Sequence, residues 1–218
     1  MKKITAIQAQ KRNPNRVNVH LDGEFGFALD RLVAAWLQVG QELDEARIAF
    51  LQEQDGRERA HQQALLFLSY RARSESEIRR NLRKHEMAEA VIEETLERLR
   101  REGLADDRQF ARTWVENRTE FRPRGRRALE AELRAKGLSE DAARSALGAV
   151  DDEALAYEAG RKKAGRLKDL EWNDFRRKLG EFLARRGFDY SVIAPTVTRI
   201  WNEAHAKQPH IIQDEEIA

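Results

Sequence analysis

The 218-residue sequence contains no cysteine, four prolines and no long hydrophobic run. Without cysteine there are no disulfides, thiolate metal sites or cysteine nucleophiles. With so few prolines, helices can run uninterrupted. No apolar stretch reaches the roughly 18–20 residues that span a bilayer, and Met1-Lys2-Lys3 opens no secretory hydrophobic region. A cytosolic protein is expected. Charge of one sign is lacking too: 40 basic residues face 38 acidic ones, which disfavours a globally basic nucleic-acid coat but leaves local basic faces open. Catalytic signatures are also missing. There is no phosphate-binding Gly-rich loop, nucleophile elbow or dinucleotide fingerprint, and His20, His61, His85, His205 and His210 have no ligand spacing. No cofactor, metal or enzymatic activity is expected.

What is present is charge and helix-forming residues. Charged residues make up 36% of the chain and hydrophobic ones 41%, as in helices with narrow apolar stripes and long solvated faces. Residues 1–56 differ from the rest. Ile4-Thr5-Ala6-Ile7 is a weak strand, and Val17, Val19, Phe25 and Phe27 alternate with polar residues across Asp22-Gly23, a hairpin pattern. A two-residue turn would set Val19 against Gly26. A three-residue loop Leu21-Asp22-Gly23 pairs Val19 with Phe25 and Val17 with Phe27, and is preferred. Two short helices follow, one over about Arg31 to Val39 stopped at Gly40, the other from about Glu45. Asp44 caps the second, with Leu43 and Ile48 as a hydrophobic staple.

From residue 57 onward the sequence repeats. Leu82-Arg83-Lys84-His85-Glu86, Leu133-Arg134-Ala135-Lys136-Gly137 and Leu183-Ala184-Arg185-Arg186-Gly187 lie 51 and 50 residues apart. Ile78, Leu129 and Leu179 precede them by one turn; Met87, Leu138 and Phe188 follow, then Ile92, Ala143 and Ile193, then Leu96, Leu147 and Val197. A second anchor comes earlier in each unit: Ala64, Phe67 and Arg71; Ala111, Trp114 and Arg118; Ala154, Tyr157 and Arg161. The fold expected is mainly all-α: three tandem three-helix, helix-turn-helix-like repeats (57–106, 107–150 and 151–205) in an elongated curved array. An N-terminal β-hairpin and helical extension precedes them, and a disordered tail (206–218) follows. Ser74-Glu75-Ser76-Glu77 predicts a capping box. Trp36, Trp114, Trp172 and Trp201 are expected in the core, and Asp106-Asp107 and Asp151-Asp152 as helix caps rather than acid–base pairs.

Basic residues are segregated. Seven bases against three acids lie between Arg118 and Lys136, and ten against four between Arg161 and Arg186. In the first unit Arg71, Arg73, Arg79, Arg80, Arg83 and Lys84 are followed by Glu86, Glu89, Glu93, Glu94 and Glu97. Such clusters are either solvated faces with i,i+4 pairs or a ridge whose guanidinium groups fork onto phosphates or carboxylates. The turn Phe121-Arg122-Pro123-Arg124-Gly125-Arg126-Arg127 holds more arginine than capping requires. Candidate partner-binding residues are therefore Arg71, Arg118, Arg122, Arg124, Arg126, Arg127, Lys136, Lys162, Lys163, Arg176, Arg177, Arg185 and Arg186.

The stretch from Asp106 to Arg118, with Pro123-Arg124-Gly125, Leu133-Arg134-Ala135-Lys136-Gly137, Leu183-Ala184-Arg185-Arg186-Gly187-Phe188 and Ser74-Glu75-Ser76-Glu77, resembles the signature of the RecX family. Residues 4–7 and 16–25 are similar to the N-terminal extension of its longer members. The first repeat departs from the pattern at His85-Glu86, where a different helix stop is expected. The resemblance implies a cytosolic regulator of the RecA recombinase that acts, as a monomer, on the filament formed with single-stranded DNA, limiting its growth, ATPase and strand exchange. The alternative is a sequence-independent DNA-binding module, which would bind bare DNA with a steep salt dependence.

Overall fold

The computed structural model describes residues 1–206, so the tail expectation lies outside the described residues. The chain divides into two compact units, Met1–Asp106 and a second that begins at Asp107.

The first unit opens with more than a hairpin. Strands β1 (Lys2–Ala9), β2 (Arg16–Leu21), β3 (Glu24–Asp30) and the short β4 (Glu42–Leu43) form an antiparallel sheet in the order β3-β2-β1-β4. The expected β2–β3 register is corrected. Asp22 (φ 51°) and Gly23 (φ 92°) form a two-residue turn with both central residues left-handed, the geometry that matches strand twist. A bulge then shifts the pairing, so that Leu21 faces Glu24, His20 faces Phe25, Val19 faces Phe27 and Val17 faces Leu29. Neither simple loop length allows for that extra residue. It falls at Gly26, where a Cβ would lie 2.9 Å from Leu21 Cγ. The bulge turns Phe27 inward beside Val17, Val19 and Leu29 and leaves Phe25 exposed.

No helix forms over Arg31–Val39. Residues 31–36 make turns, and residues 38–43 return to the sheet edge, where Gly40 N–H donates to Ile4 O and Ile4 N–H to Gln41 O, both at 2.8 Å. Ala34 and Leu37 are buried, but Trp36, expected in the core, is 88% exposed.

Helix α1 (Glu45–Ser69) starts as predicted: Asp44 accepts from Arg47 N–H at 2.7 Å, and Leu43 and Ile48 join the same apolar cluster. It then runs for 25 residues, past residue 56 and into the first repeat. Its N-terminal half packs on the sheet through Leu51, and its C-terminal half supplies Ala60 and Ala64 to the core of the first repeat. One ion pair fastens sheet to helix. Buried Asp55 takes both Arg16 guanidinium nitrogens at 3.1 and 3.0 Å and the Asp30 backbone N–H at 2.6 Å.

Helices α2 (Glu75–Lys84) and α3 (Glu89–Arg101) complete the first repeat. The second consists of α4 (Asp107–Phe121), α5 (Arg126–Ala135) and α6 (Glu140–Leu147), the third of α7 (Asp152–Ala164), α8 (Trp172–Arg185) and α9 (Tyr190–His205). The repeated apolar positions are its core: Ile78, Leu129, Leu179, Leu82, Leu133 and Leu183 are all fully buried. Ser74 closes the predicted capping box with Glu77. The second helix of every repeat ends on one device. Met87, Leu138 and Phe188 N–H groups reach back to Leu82, Leu133 and Leu183 carbonyls, around a left-handed residue: Glu86 (φ 59°), Gly137 (78°) and Gly187 (86°). The different stop expected in the first repeat is thus not found; Glu86 takes the glycine conformation.

One anchor is corrected. Ala64 and Ala111 are fully buried, but Ala154 is exposed, and Ala156 fills the equivalent place. Aligned on the acidic doublets, Ala156 corresponds to Ala111. The Ala-aromatic-Arg spacing around Tyr157 is a coincidence two residues out of phase.

Candidate partner-binding surface

In the first unit Arg79, Arg83 and Arg100 face acids across the α2–α3 pair, whereas Arg80 and Lys84 of α2 are exposed. Arg79 bonds Glu89 at 2.7 Å and also Glu93; Arg83 bonds Glu89 at 2.8 Å; Arg100 of α3 bonds Glu75 of α2 at 2.5 Å. The segregation seen in the sequence is therefore complementarity between α2 and α3. Glu93 and Glu89 raise the Arg79 pKa, and Arg83 and Arg79 in turn hold the Glu89 carboxyl below its ordinary value. Arg71 forks onto Glu77 at 2.9 and 3.1 Å.

The second unit differs. Arg118, near the end of α4, donates from Nε to Glu132 at 2.8 Å, Trp114 Nε1 donates to the same carboxylate at 2.8 Å, and Arg124 closes on its other oxygen at 2.6 Å. Burial works against ionisation of Glu132. The hydrogen bonds from Arg118 and Trp114 and the field of Arg124 outweigh it and hold the pKa below the usual carboxylate range. The Trp114 ring has Arg118 at 4.4 Å and Lys136 at 4.8 Å from its centroid. The third repeat builds a similar cation–aromatic–cation group from a different helix. Phe182 of α8, at the position equivalent to Glu132, lies 4.6 Å from Arg186 and 5.8 Å from Lys163. Such contacts orient cations without neutralising them.

The turn between α4 and α5 joins the two repeats. Arg186 Nη1 donates to Pro123 O at 2.8 Å, and Gly125 N–H donates to Arg186 O at 2.9 Å. Burial, reinforced by the charges of Arg124 and Arg122, lowers the Arg186 pKa, so three guanidinium groups share one locality. Arg126 is committed elsewhere: its backbone N–H donates to Asp152 at 2.9 Å and its guanidinium to Val150 O at 2.9 Å. The acidic doublet has thus divided its labour. Asp151 caps α7, accepting from Glu153 and Ala154 N–H, whereas Asp152 caps the start of α5. Burial raises the Asp152 pKa, against the opposing Arg126 backbone bond and charge.

The remaining candidates sit on α7 and α8. Lys162 pairs with Glu158, Arg177 with Asp174 and Glu181, and Arg185 with Glu181 at 3.8 Å. Arg122, Arg127 and Arg176 are exposed, and their guanidinium groups have no ion pair or hydrogen bond among the described residues. Phe121, 71% exposed, adjoins Arg122. A groove of about 290 Å³ between α5 and α6 is mixed in charge, with Arg126, Arg134 and Arg144 and the acids Glu130 and Glu140 around Leu138, Ala143 and Leu147, and Arg134 paired with Glu130.

Comparison with known proteins decides the family. A protein of Bacillus velezensis named Regulatory protein RecX is 35% identical over 196 residues, which cover 87% of this chain and 74% of that protein. The chain belongs to the RecX family. The Regulatory protein RecX of Bacillus subtilis is 34% identical over 202 residues, covering 90% of this chain and 76% of its own. Family models match piece by piece: the Regulatory protein RecX N-terminal domain at residues 2–44, and the first, second and third RecX three-helix domains at 60–99, 106–147 and 151–195. A crystal structure of regulatory protein RecX superposes with a TM-score of 0.71 at 30% identity, covering 88% of this chain and 97% of that one. The RecX structure from Lactobacillus salivarius, at 23% identity, shares the fold with a TM-score of 0.62, over 67% of this chain and 97% of its own.

On the RecX domain scheme the converging cations belong to the second and third three-helix domains; in the first, Arg71, Arg79, Arg83 and Arg100 pair with acids of the same repeat. Glu132, which gathers Trp114, Arg118 and Arg124, and Asp55, which ties the sheet to α1, carry no signal in one sequence, since an acid on a charged helix reads as solvated. Among the described residues there is no group of three potential metal ligands and no helix long and apolar enough to cross a membrane.

Proposed function

We propose that this protein regulates the RecA recombinase by binding, as a single copy, to its filament on single-stranded DNA, restraining filament growth, ATP hydrolysis and strand exchange. The observation that carries the reading is the shared cationic turn of the second and third repeats. Arg118, Arg124, Arg126 and Arg186 build it through Glu132, Asp152, Val150 and Pro123, whereas the exposed guanidinium groups of Arg122 and Arg127, and of Arg176 on α8, have no ion pair among the described residues. These three are the contact residues for carboxylates or phosphates of the filament. Restraint follows if the protein binds one filament state better than another.

The division between building and projecting residues sets the test. Arg122→Ala/Arg127→Ala leaves the urea midpoint unchanged but weakens inhibition of recombinase ATPase on single-stranded DNA, more so at low salt, where exposed charges act furthest. Unchanged inhibition by that variant would refute the assignment. Equal, steeply salt-dependent binding to bare DNA without recombinase would favour the DNA-binding module instead.

A further inference from the structure

Arg186 stands half-buried at the joint between the second and third repeats. Its guanidinium rests on the Phe182 ring, 4.6 Å from the centroid, and Nη1 donates to Pro123 O at 2.8 Å. The rest of its fork has no acceptor among the described residues. Pro123 lies between Arg122 and Arg124 in sequence, so the bond that seats Arg186 also sets it beside two further guanidinium groups. Burial and those two charges act on Arg186 in the same sense, and no carboxylate of the described residues acts against them.

Charge clusters elsewhere in the chain carry their own acids: Arg79 meets Glu89 and Glu93, and Arg98 meets Glu58 and Glu102. At this joint the acids are already committed. Glu132 serves Trp114, Arg118 and Arg124 together, and Asp152 accepts from the Arg126 backbone N–H. Lys163, 5.8 Å from the Phe182 centroid, adds a cation instead of a counterion. Cations gathered where water is partly excluded repel one another more than they would in bulk water, a cost that an anion from outside removes. The number of cations selects the anion. A carboxylate or a phosphodiester carries one charge, which a single guanidinium fork can satisfy. A phosphate monoester or inorganic phosphate presents at least three free oxygens and close to two charges, which matches several cations around one point.

The geometry points to an oxyanion site at this joint, in which Arg186, Arg122 and Arg124 hold one phosphate dianion, either inorganic phosphate or a terminal phosphate. The bound anion ties the turn between α4 and α5 to the end of α8 and relieves the repulsion among the three guanidinium groups. No recombinase takes part, so the site stands or falls apart from the filament reading.

Isothermal titration of the full chain tests it at about pH 8, where these phosphates are dianions, with chloride matching the ionic strength. Inorganic phosphate and thymidine 5′-monophosphate should bind saturably, and the diester d(TpT) about tenfold more weakly or worse. Tighter binding of the monophosphate names a nucleotide terminus as the source; inorganic phosphate binding as well or better names the free ion, and either supports the site. Arg122→Glu, at an exposed side chain with no bond in the fold, should abolish binding with far-ultraviolet circular dichroism unchanged. Arg186→Lys keeps the charge but loses the fork, and should weaken binding about tenfold. Arg144→Ala/Arg176→Ala removes two charges elsewhere and should change it by less than about twofold. Absence of saturable binding of either dianion to the parent overturns the proposal. So does diester binding as tight as that of the dianions, or a loss in the Arg144/Arg176 variant as large as in Arg122→Glu.

Discussion

Three glycines of the second unit allow the joint between its repeats to be dissected. At Gly125 the backbone is ordinary (φ −71°), but an added Cβ would lie 2.5 Å from Gly187 C and 2.6 Å from Phe188 N. These are backbone atoms, which cannot rotate away, so Gly125→Ala should cost about 2–3 kcal/mol, in the upper overpacking range. Gly137 has φ 78°, and alanine there meets the left-handed penalty, about 1–2 kcal/mol, less roughly 0.4–1 kcal/mol gained from a stiffer unfolded chain. Gly187 combines both burdens: φ 86° and a Cβ 2.6 Å from Ala128 N. Its alanine variant should cost about 3–4 kcal/mol on the same two scales. Urea unfolding followed by circular dichroism ranks the three. The order Gly137 < Gly125 < Gly187 supports a tight joint between α5 and the end of α8. A Gly125→Ala variant as stable as the parent would refute the reasoning, because the close approach adds to the smaller loss from alanine at this helix N-cap.

Glu86→Gly should stabilise the first unit by about 0.5–1 kcal/mol, since it removes a non-glycine residue from a left-handed stop, and thermal melting should rise accordingly. Asp55→Ala leaves Arg16 and the Asp30 N–H without their buried acceptor and should cost about 3 kcal/mol, read as a lower urea midpoint. Glu132 has a depressed folded pKa, so its stabilisation is present above the unfolded value of about 4.3 and is lost as pH falls through the folded one. Glu132→Gln should therefore be less stable than the parent at neutral pH and show a flatter acid limb. Asp152 has the opposite sign: its raised pKa gives stability below the unfolded value of about 3.9 that is lost as pH rises through the folded one, so Asp152→Asn should be no less stable than the parent at neutral pH.

The repeats were legible because burial of Ile78, Leu82 and their counterparts obeys helical periodicity, which one sequence displays three times. The sheet was half legible. Alternation marked β2 and β3, but a bulge at Gly26 depends on packing beneath Leu21, and β4 is two residues long. The segment 31–39 has helical periodicity and is not helical, because Gly40 and Gln41 must reach the backbone of Ile4. For the surface, sequence located the arginines but could not sort them. Whether an arginine is spent on Pro123 O or left projecting is decided by residues 60 positions away.

The continuity of α1 makes it a shaft as well as a wall. Asp55 clamps the sheet on one stretch of it, and Ala60 and Ala64 clamp the first repeat a turn or two later. Each residue of an α-helix advances the azimuth by about 100°. Inserting one alanine between Gly56 and Glu58 would therefore twist the sheet by about 100° about the shaft relative to the first repeat, whereas seven, close to two whole turns, would restore the bearing and only lengthen the arm. The N-terminal sheet is in this sense geared to the repeat it precedes.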